Sequence, residues 1–362
     1  MSVDRETAAV YREKATAWRD ARVGKPPGPA ERLTDRLDND LAAPILDIGC
    51  GPGLLAAHLP EPVIGLDPIR EMLDLLPDHA PHALPLQADA AHLPFATESI
   101  GGALAANVYI HIDRPDLPMA LAELHRVLAV GAPVEFQLFE GDQDLIALPG
   151  DSMGGRRFAR WEPAHLRDVV EGAGFDIERF ERVQGSDDRW PAINISARRA
   201  LTLPDIVGSA MRLLVCGLNP SVYSAETLVG FGRPGNRFWP AALDAGLASV
   251  DRDPRHALAH HGMGMTDLVK RATPRADELT TDEYRAGLDR VERLCEWLRP
   301  EAVCFVGLAG WRAAVDRTAK AGWQQRRLGP SAVYVMPSTS GLNAHARLED
   351  LTEHLAVATR RR

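Results

Sequence analysis

Two groups of residues in this 362-residue chain have the types and spacings that chemistry needs. The first is Asp47-Ile48-Gly49-Cys50-Gly51-Pro52-Gly53, where three glycines fall between an apolar run and helix-like sequence. Such glycines let a ligand approach the backbone, and Asp67, which closes the next apolar run, is an acid placed to hold ribose hydroxyls. A further carboxylate, Asp89, follows the third run in Gln87-Ala88-Asp89-Ala90, where it can accept a hydrogen bond from an adenine amino group. The glycine spacing is GxGxG, and Leu54 stands where the dinucleotide fingerprint needs its last glycine, which counts against a nicotinamide dinucleotide.

The second group begins where an apolar run, Arg212–Cys216, enters Gly217-Leu218-Asn219-Pro220-Ser221, followed by Ser224 and by Phe231-Gly232-Arg233-Pro234-Gly235-Asn236-Arg237-Phe238-Trp239. Small residues and an amide after an apolar run describe a site at the carboxyl edge of a sheet. A second such edge is Met336-Pro337-Ser338-Thr339-Ser340-Gly341-Leu342-Asn343. Its hydroxyls and backbone N–H groups suit phosphate oxygens, and a leucine at the tip suits a wedge pushed between bases.

The elements that must position these residues follow from the hydrophobic pattern. Strands are expected over Pro44–Ile48, Val63–Asp67, Leu84–Gln87, Ile100–Ala106 and Pro133–Phe139, with helices such as Pro115–Val130 between them. This alternation predicts parallel strands with crossover helices. Phe175–Val183 and Ala192–Ala197, joined by a Gln-Gly-Ser-Asp-Asp turn at 184–188, are expected to pair antiparallel. A second series has strands at Met211–Gly217, Ala302–Val306 and Ala332–Met336, and helices at Asn236–Ala245, Tyr284–Leu298, Trp311–Ala319 and about Arg347–Thr359. The chain therefore divides into N-terminal helices (1–40), an α/β domain (41–197), a linker (198–210) and a second α/β domain (211–362).

Composition narrows the function classes. The chain is 45% apolar and 25% charged, and no run reaches the roughly 18–20 consecutive apolar residues that cross a bilayer. The uncharged stretch Ser99–Ile112, for example, contains Asn107 and His111. Charges crowd the first twenty residues where a signal peptide needs an apolar core, so the expectation is a cytoplasmic protein with no membrane partner. Cys50, Cys216, Cys295 and Cys304 have no metal-ligand spacing and read as reduced, buried residues, with no metal expected. Residues 1–200 carry 20 Lys and Arg against 32 Asp and Glu, whereas residues 201–362 carry 21 against 18. Only the second half has a charge balance suited to phosphate backbones.

On the glycine loop, Asp67 and Asp89, together with Leu93-Pro94-Phe95, Ala122-Glu123-Leu124-His125-Arg126-Val127-Leu128 and Trp161-Glu162-Pro163, residues 40–197 resemble class I S-adenosylmethionine (SAM)-dependent methyltransferases. The resemblance implies a Rossmann-like three-layer αβα fold with a terminal antiparallel hairpin. It also implies SAM as cofactor, with Asp47, Gly49, Gly51 and Gly53 at its methionine and ribose end, Asp67 on the ribose and Asp89 on the adenine. Gly101-Gly102 stand where relatives carry an acid. Asn107, Tyr109 and His111 would face the methyl acceptor, and His111 is either a general base or a loop histidine without a chemical role.

The second domain resembles the mismatch-specific uracil/thymine-DNA glycosylases, the Mug branch of the uracil-DNA glycosylase superfamily. The resemblance rests on the two edge motifs and on Gly262-Met263-Gly264-Met265-Thr266-Asp267-Leu268-Val269 between them. It implies a second αβα domain with a parallel sheet, and a partner: double-stranded DNA holding a mismatched or damaged base. Asn219 falls on the catalytic residue that orients water. Leu218, Ser224, Phe231 and Asp267 fall on the base pocket, with Phe231 stacking on the extruded base. Ser338, Ser340, Gly341 and Arg237 fall on the DNA grip, with Leu342 as the wedge. Relatives more often carry Lys or Asn at the position of Asp267. A carboxylate there favours an exocyclic amino group, or else Asp267 lies in the first turn of a short helix capped by Thr266 and pairs with Arg271. The expected activity is monofunctional hydrolysis of the N-glycosidic bond of uracil or a related base, preferably opposite guanine. Two other readings fit the same residues: methylation of a small molecule or nucleobase as the main activity, and a SAM-sensing DNA-damage binder without catalysis.

Overall fold

The strand Ile45–Ile48 (β1) is buried along its whole length, as expected of a central parallel strand covered on both faces. The computed structural model describes residues 3–37, 43–184, 190–343 and 345–360, and divides them into two units. One unit spans Met1–Glu171 with Phe175–Ala200, the other Gly172–Gly174 with Leu201–Arg362.

In the first unit β1 pairs in parallel with Val63–Asp67 (β2) on one side and Gly102–Ala106 (β4) on the other. Ala83–Gln87 (β3) extends the sheet beyond β2, and Pro133–Glu140 (β5) continues it beyond β4. Beyond β5 the sheet branches, with one antiparallel partner and, at the end of β5, a short parallel one. Ala192–Arg199 (β9) pairs with both β5 and Phe175–Val183 (β8), as the expected hairpin requires; residues 185–188 of its turn lie outside the described residues. Gln143–Ala147 (β6) and Arg157–Trp161 (β7) form a second antiparallel pair that the sequence pattern did not suggest.

The N-terminal helices belong to this unit. Helix Arg5–Asp20 places Ala8 and Ala15 with Tyr11 and Trp18 on one stripe, packed against Ile69 and Met72. Leu37 packs on Gly102, where a Cβ would stand 2.8 Å from its Cδ2. That contact gives a physical reason for glycine at the start of β4, where the relatives' acid was expected.

In the second unit Leu213–Gly217 (β10) lies between Met263–Asp267 (β11) and Ala302–Val306 (β12), all parallel. Ala332–Met336 (β14) pairs with β12, and Gly322–Trp323 (β13) runs antiparallel on the edge. Strands β10, β11 and β12 are wholly buried, and all four cysteines of the chain are free and buried. β11 was not expected as a strand, and the alternative that put Asp267 in a helix does not hold. Asp267 ends β11, and Arg271 pairs instead with Glu283 at 2.8 Å. Gly264 suits this strand because a Cβ there would strike Met211 and stand 3.2 Å from the Ile206 carbonyl.

Helix boundaries follow local capping. The helix expected from Tyr284 starts at Thr281, because Thr280 and Glu283 cap each other's backbone N–H groups. The helix expected over Trp311–Ala319 runs from Leu308 to Ala314, and Asp316 then folds back on the Thr318 N–H at 2.8 Å. Within the segment 198–210, Arg198 and Arg199 finish β9, and Ile206 exchanges two backbone bonds with Met265.

Candidate functional site

Each unit gathers its candidate site residues at the carboxyl ends of its parallel strands. In the first, Gly49, Gly51 and Gly53 all adopt positive φ, a conformation that L side chains rarely take. A Cβ on Gly49 would meet Val108 at 2.7 Å, and one on Gly51 would touch the Trp18 ring at 3.5 Å. Asp67 accepts from the Gly51 N–H at 3.0 Å and from the Ile69 N–H at 2.8 Å, which ties the acid to the glycine loop. Burial pushes its carboxyl up to about 6, against the pull of those two N–H groups.

Asp47 is only 2% exposed, and its Oδ2 has no hydrogen-bond partner among the described residues. Burial first, and the Asp67 charge second, push its carboxyl up to about 8. A buried orphan acceptor beside a glycine cradle fits a ligand that brings a cationic or N–H donor, so the residues present are compatible with an amino-acid-bearing nucleoside. Asp89 is half-buried and accepts from the Ala91 N–H at 3.0 Å in a turn after β3.

His111 lies elsewhere than an exposed loop. It is 6% exposed, its Nδ1 is 2.7 Å from the Arg157 carbonyl oxygen, and its Nε2 is 2.9 Å from the Tyr11 hydroxyl. A carbonyl only accepts, so Nδ1 carries the proton and Nε2 accepts from Tyr11. Arg156 in turn donates to Tyr11 Oη at 3.1 Å and is paired with Asp151. Both His111 nitrogens are therefore engaged, and burial holds its pKa down to about 4. Sequence reasoning missed Tyr11; the stripe of Ala8, Tyr11, Ala15 and Trp18 at helical spacing was the signal available.

In the second unit Asn219 follows β10. Its Nδ2 donates to the Arg271 carbonyl at 3.0 Å and to Thr273 Oγ1 at 2.8 Å, with a weaker bond to the Pro220 carbonyl at 3.2 Å. Thr273 spends its own proton on the Arg275 carbonyl. Those acceptors fix the amide's orientation and leave Asn219 Oδ1 without a hydrogen bond among the described residues, ready to accept from water. Thr273, the residue that pins this amide, carries no sequence signal of its own.

Phe231 and Asp267 converge over Gly217. A Cβ on Gly217 would strike Asp267 Oδ1 and stand 3.4 Å from the Phe231 ring. Phe231 is stacked on Phe238, with ring centroids 4.3 Å apart, and holds a φ of 57°. Asp267 is 8% exposed, and burial pushes its carboxyl up to about 6, with the Lys270 ammonium opposing. Behind it lies an ion cluster that the sequence did not disclose. Arg290 and Lys270 both grip Asp205, at 2.6 and 2.8 Å, and Arg290 also donates to the Asp267 carbonyl at 2.8 Å.

Leu218 points its Cδ1 at Gly310 against the core, and Ser224 is buried in a helix whose N-cap is Ser221. Ser338 Oγ accepts from the Ser340 N–H, and Ser340 Oγ from the Leu342 N–H, both at 3.3 Å. Each hydroxyl proton is left to donate outward. Leu342 is 90% exposed, and Gly341 approaches Gly235 so closely that a Cβ would stand 2.9 Å from its carbonyl oxygen. The Arg237 guanidinium donates to carbonyls of this loop through Nη1 and Nη2, and its Nε has no hydrogen-bond partner among the described residues.

Among the described residues no group of three or more His, Cys, Asp or Glu side chains is placed to hold a metal ion, and no helix is long and apolar enough to cross a membrane.

Two family models match the chain. Residues 45–131 match the family model of a methyltransferase domain, and residues 204–359 match that of the uracil DNA glycosylase superfamily. The chain thus carries one domain of each kind. Among solved structures it is similar to a SAM-dependent methyltransferase from Methanosarcina mazei, at 19% identity and a TM-score of 0.41, over 47% of this chain and 97% of that one. It is also similar to the 1,6-didemethyltoxoflavin-N1-methyltransferase of Burkholderia thailandensis, solved with 1,6-didemethyltoxoflavin and S-adenosylhomocysteine. There the identity is 20% and the TM-score 0.43, over 55% of this chain and 92% of that one.

Proposed function

We propose that the chain is a monofunctional DNA glycosylase acting on uracil or a related mispaired base, preferably opposite guanine, joined to a SAM-binding methyltransferase domain. The observation that carries the glycosylase reading is the amide of Asn219, pinned through its nitrogen and open at its oxygen. A base inside a duplex is out of reach, so it must be flipped into the pocket of Phe231, Gly217 and Asp267. The bond from the base nitrogen to C1′ breaks with its electron pair leaving on the base. Water held by Asn219 Oδ1 then bonds to the sugar carbon and gives up a proton. An amide orients that water without deprotonating it strongly, so turnover is slow. Lys270, the lysine nearest Asp267 in sequence, is held by Asp205, which argues against a Schiff base and a lyase step.

Asp267 tunes the choice of base. As a carboxylate it accepts a hydrogen bond and favours an exocyclic amino group; once protonated it can donate to a carbonyl such as those of uracil.

In the first domain the bound cofactor would supply a methyl group on a sulfonium. Asp67 has lone pairs left for ribose hydroxyls, and Asp47 has a vacant acceptor for the amino group.

The test is single-turnover excision on a uracil·guanine duplex, read as abasic sites. Asn219→Ala is expected to lose excision and keep DNA binding. Turnover like that of the wild type would reject the assignment.

A further inference from the structure

Arg237 is bonded to the segment that carries Leu342 at four points. Its backbone N–H donates to the Thr339 carbonyl at 3.0 Å. Its Nη2 donates to the carbonyls of Ser340 at 2.9 Å and Asn343 at 2.7 Å, and its Nη1 donates to that of Ala346. Its remaining nitrogen, Nε, is buried without a hydrogen-bond partner among the described residues. Phe238, the next residue, stacks on Phe231, and Trp239 donates its indole N–H to the Gly230 carbonyl at 2.8 Å. Gly235, two residues before Arg237, lies against Gly341. The aromatic platform and the exposed leucine are thus joined through Arg237, with the Gly235–Gly341 contact beside it.

We propose that Arg237 is a positioning residue that braces the Leu342 loop against the Phe231 platform, so that wedge insertion and capture of the base act as one movement. This rests on the glycosylase reading and deepens it. A leucine pushed between stacked bases meets a resistance of a few kcal/mol, and a loop free to bend would yield before the stack does. The planar guanidinium fork meets several carbonyls at fixed angles; an ammonium carries the same charge but cannot reproduce the fork. A phosphate grip has the opposite requirement, since charge alone sustains most of it.

Arg237→Lys separates the two roles. If Arg237 braces the loop, the slope of log Kd against log salt on an undamaged duplex stays as in the wild type. Excision from uracil·adenine pairs falls by about tenfold or more and from uracil·guanine pairs by less than about threefold, because well-paired sites depend most on the wedge. Leu342→Ala gives the same pattern, and the double variant is no worse than Leu342→Ala alone, as expected of residues acting through one device. Wild-type excision by Arg237→Lys on both substrates, or losses that add up in the double variant, would overturn the proposal. If the wild type excises no uracil, the glycosylase reading fails. The brace is then decided by amide hydrogen exchange over residues 338–346, which must quicken in Arg237→Lys; unchanged exchange would refute it.

Discussion

Asp267 Oδ1 fills the space that a side chain on Gly217 would need. The two residues are register partners on adjacent parallel strands, Gly217 closing β10 and Asp267 closing β11. The absence of a side chain on one strand therefore lets the carboxylate of the other lean across the strand end toward Phe231. Gly217→Ala is expected to push Asp267 aside and crowd Phe231, with a loss of about 1–3 kcal/mol in stability from overpacking. Excision should drop by more than the melting shift explains. A variant that melts lower yet excises normally would show that Asp267 need not lie over Gly217.

Asp267→Asn separates recognition from stability. Burial raises the carboxyl from an ordinary 3.8 to about 6, so the folded state binds the proton more tightly than the unfolded one. Stability then falls as pH rises from about 4 to about 6 and stays reduced above, by at most about 3 kcal/mol. The asparagine variant should escape that loss and melt higher at pH 7. In excision assays on matched oligonucleotides, the wild type's preference for amino-bearing bases over uracil should fall between pH 7.5 and 5.5. The variant's ratio should be flat and shifted toward uracil. Parallel pH profiles for the two proteins would remove Asp267 from base selection.

Much of this was legible in the sequence because parallel strands are buried on both faces and appear as apolar runs. Val63–Asp67, Ala302–Val306 and Ala332–Met336 begin and end where the pattern places them. β11 escaped because Met-Gly-Met-Thr-Asp has neither alternation nor a β-branched run; the bonds to Ile206 and the fit around Gly264 make it a strand. Helix Pro254–His261 escaped because only Ala257 is buried, although Asp253, Pro254 and Gly262 are the start and stop residues such a helix needs. In the candidate sites, residue types pointed to Asn219 and His111, but the partners that hold them lie far along the chain. Thr273 is 54 residues from Asn219, and Tyr11 is 100 from His111. Arg237 shows the limit most directly: an arginine beside a DNA-binding motif suggests a phosphate, and only the geometry discloses loop carbonyls as its partners.

The first domain is tested by calorimetry with SAM and with its demethylated product. Asp67→Ala removes the acceptor expected to hold the ribose and also the bonds that fix the Gly51 and Ile69 N–H groups. Affinity should fall by about tenfold or more, because a charge-assisted hydrogen bond is worth about 1.5–3 kcal/mol. Gly51→Leu, which forces a side chain into positive φ and toward Trp18, should abolish binding. Absence of heat with the wild-type protein would leave a methyltransferase fold without its cofactor.

His111 predicts how the first domain responds to acid. Burial depresses its pKa from an ordinary 6.5 to about 4, so the folded state binds the proton less readily than the unfolded chain. The stability this represents is fully present above pH 6.5 and is lost as pH falls through about 4, an amount on the order of 3 kcal/mol. Burial is the leading cause, and the Arg156 guanidinium adds to it; a second ring N–H would also have to displace the hydrogen bond that Nε2 now accepts from Tyr11. His111→Gln, which can accept from Tyr11 without titrating, should flatten the acid limb of the stability curve between pH 6.5 and 4 at some cost in stability at pH 7. Tyr11→Phe removes only the hydroxyl and keeps both the burial and the Arg156 charge, so the histidine should still titrate well below 6.5, visible in its imidazole NMR shifts. A wild-type imidazole that titrates near 6.5 would reject a buried, hydrogen-bonded His111.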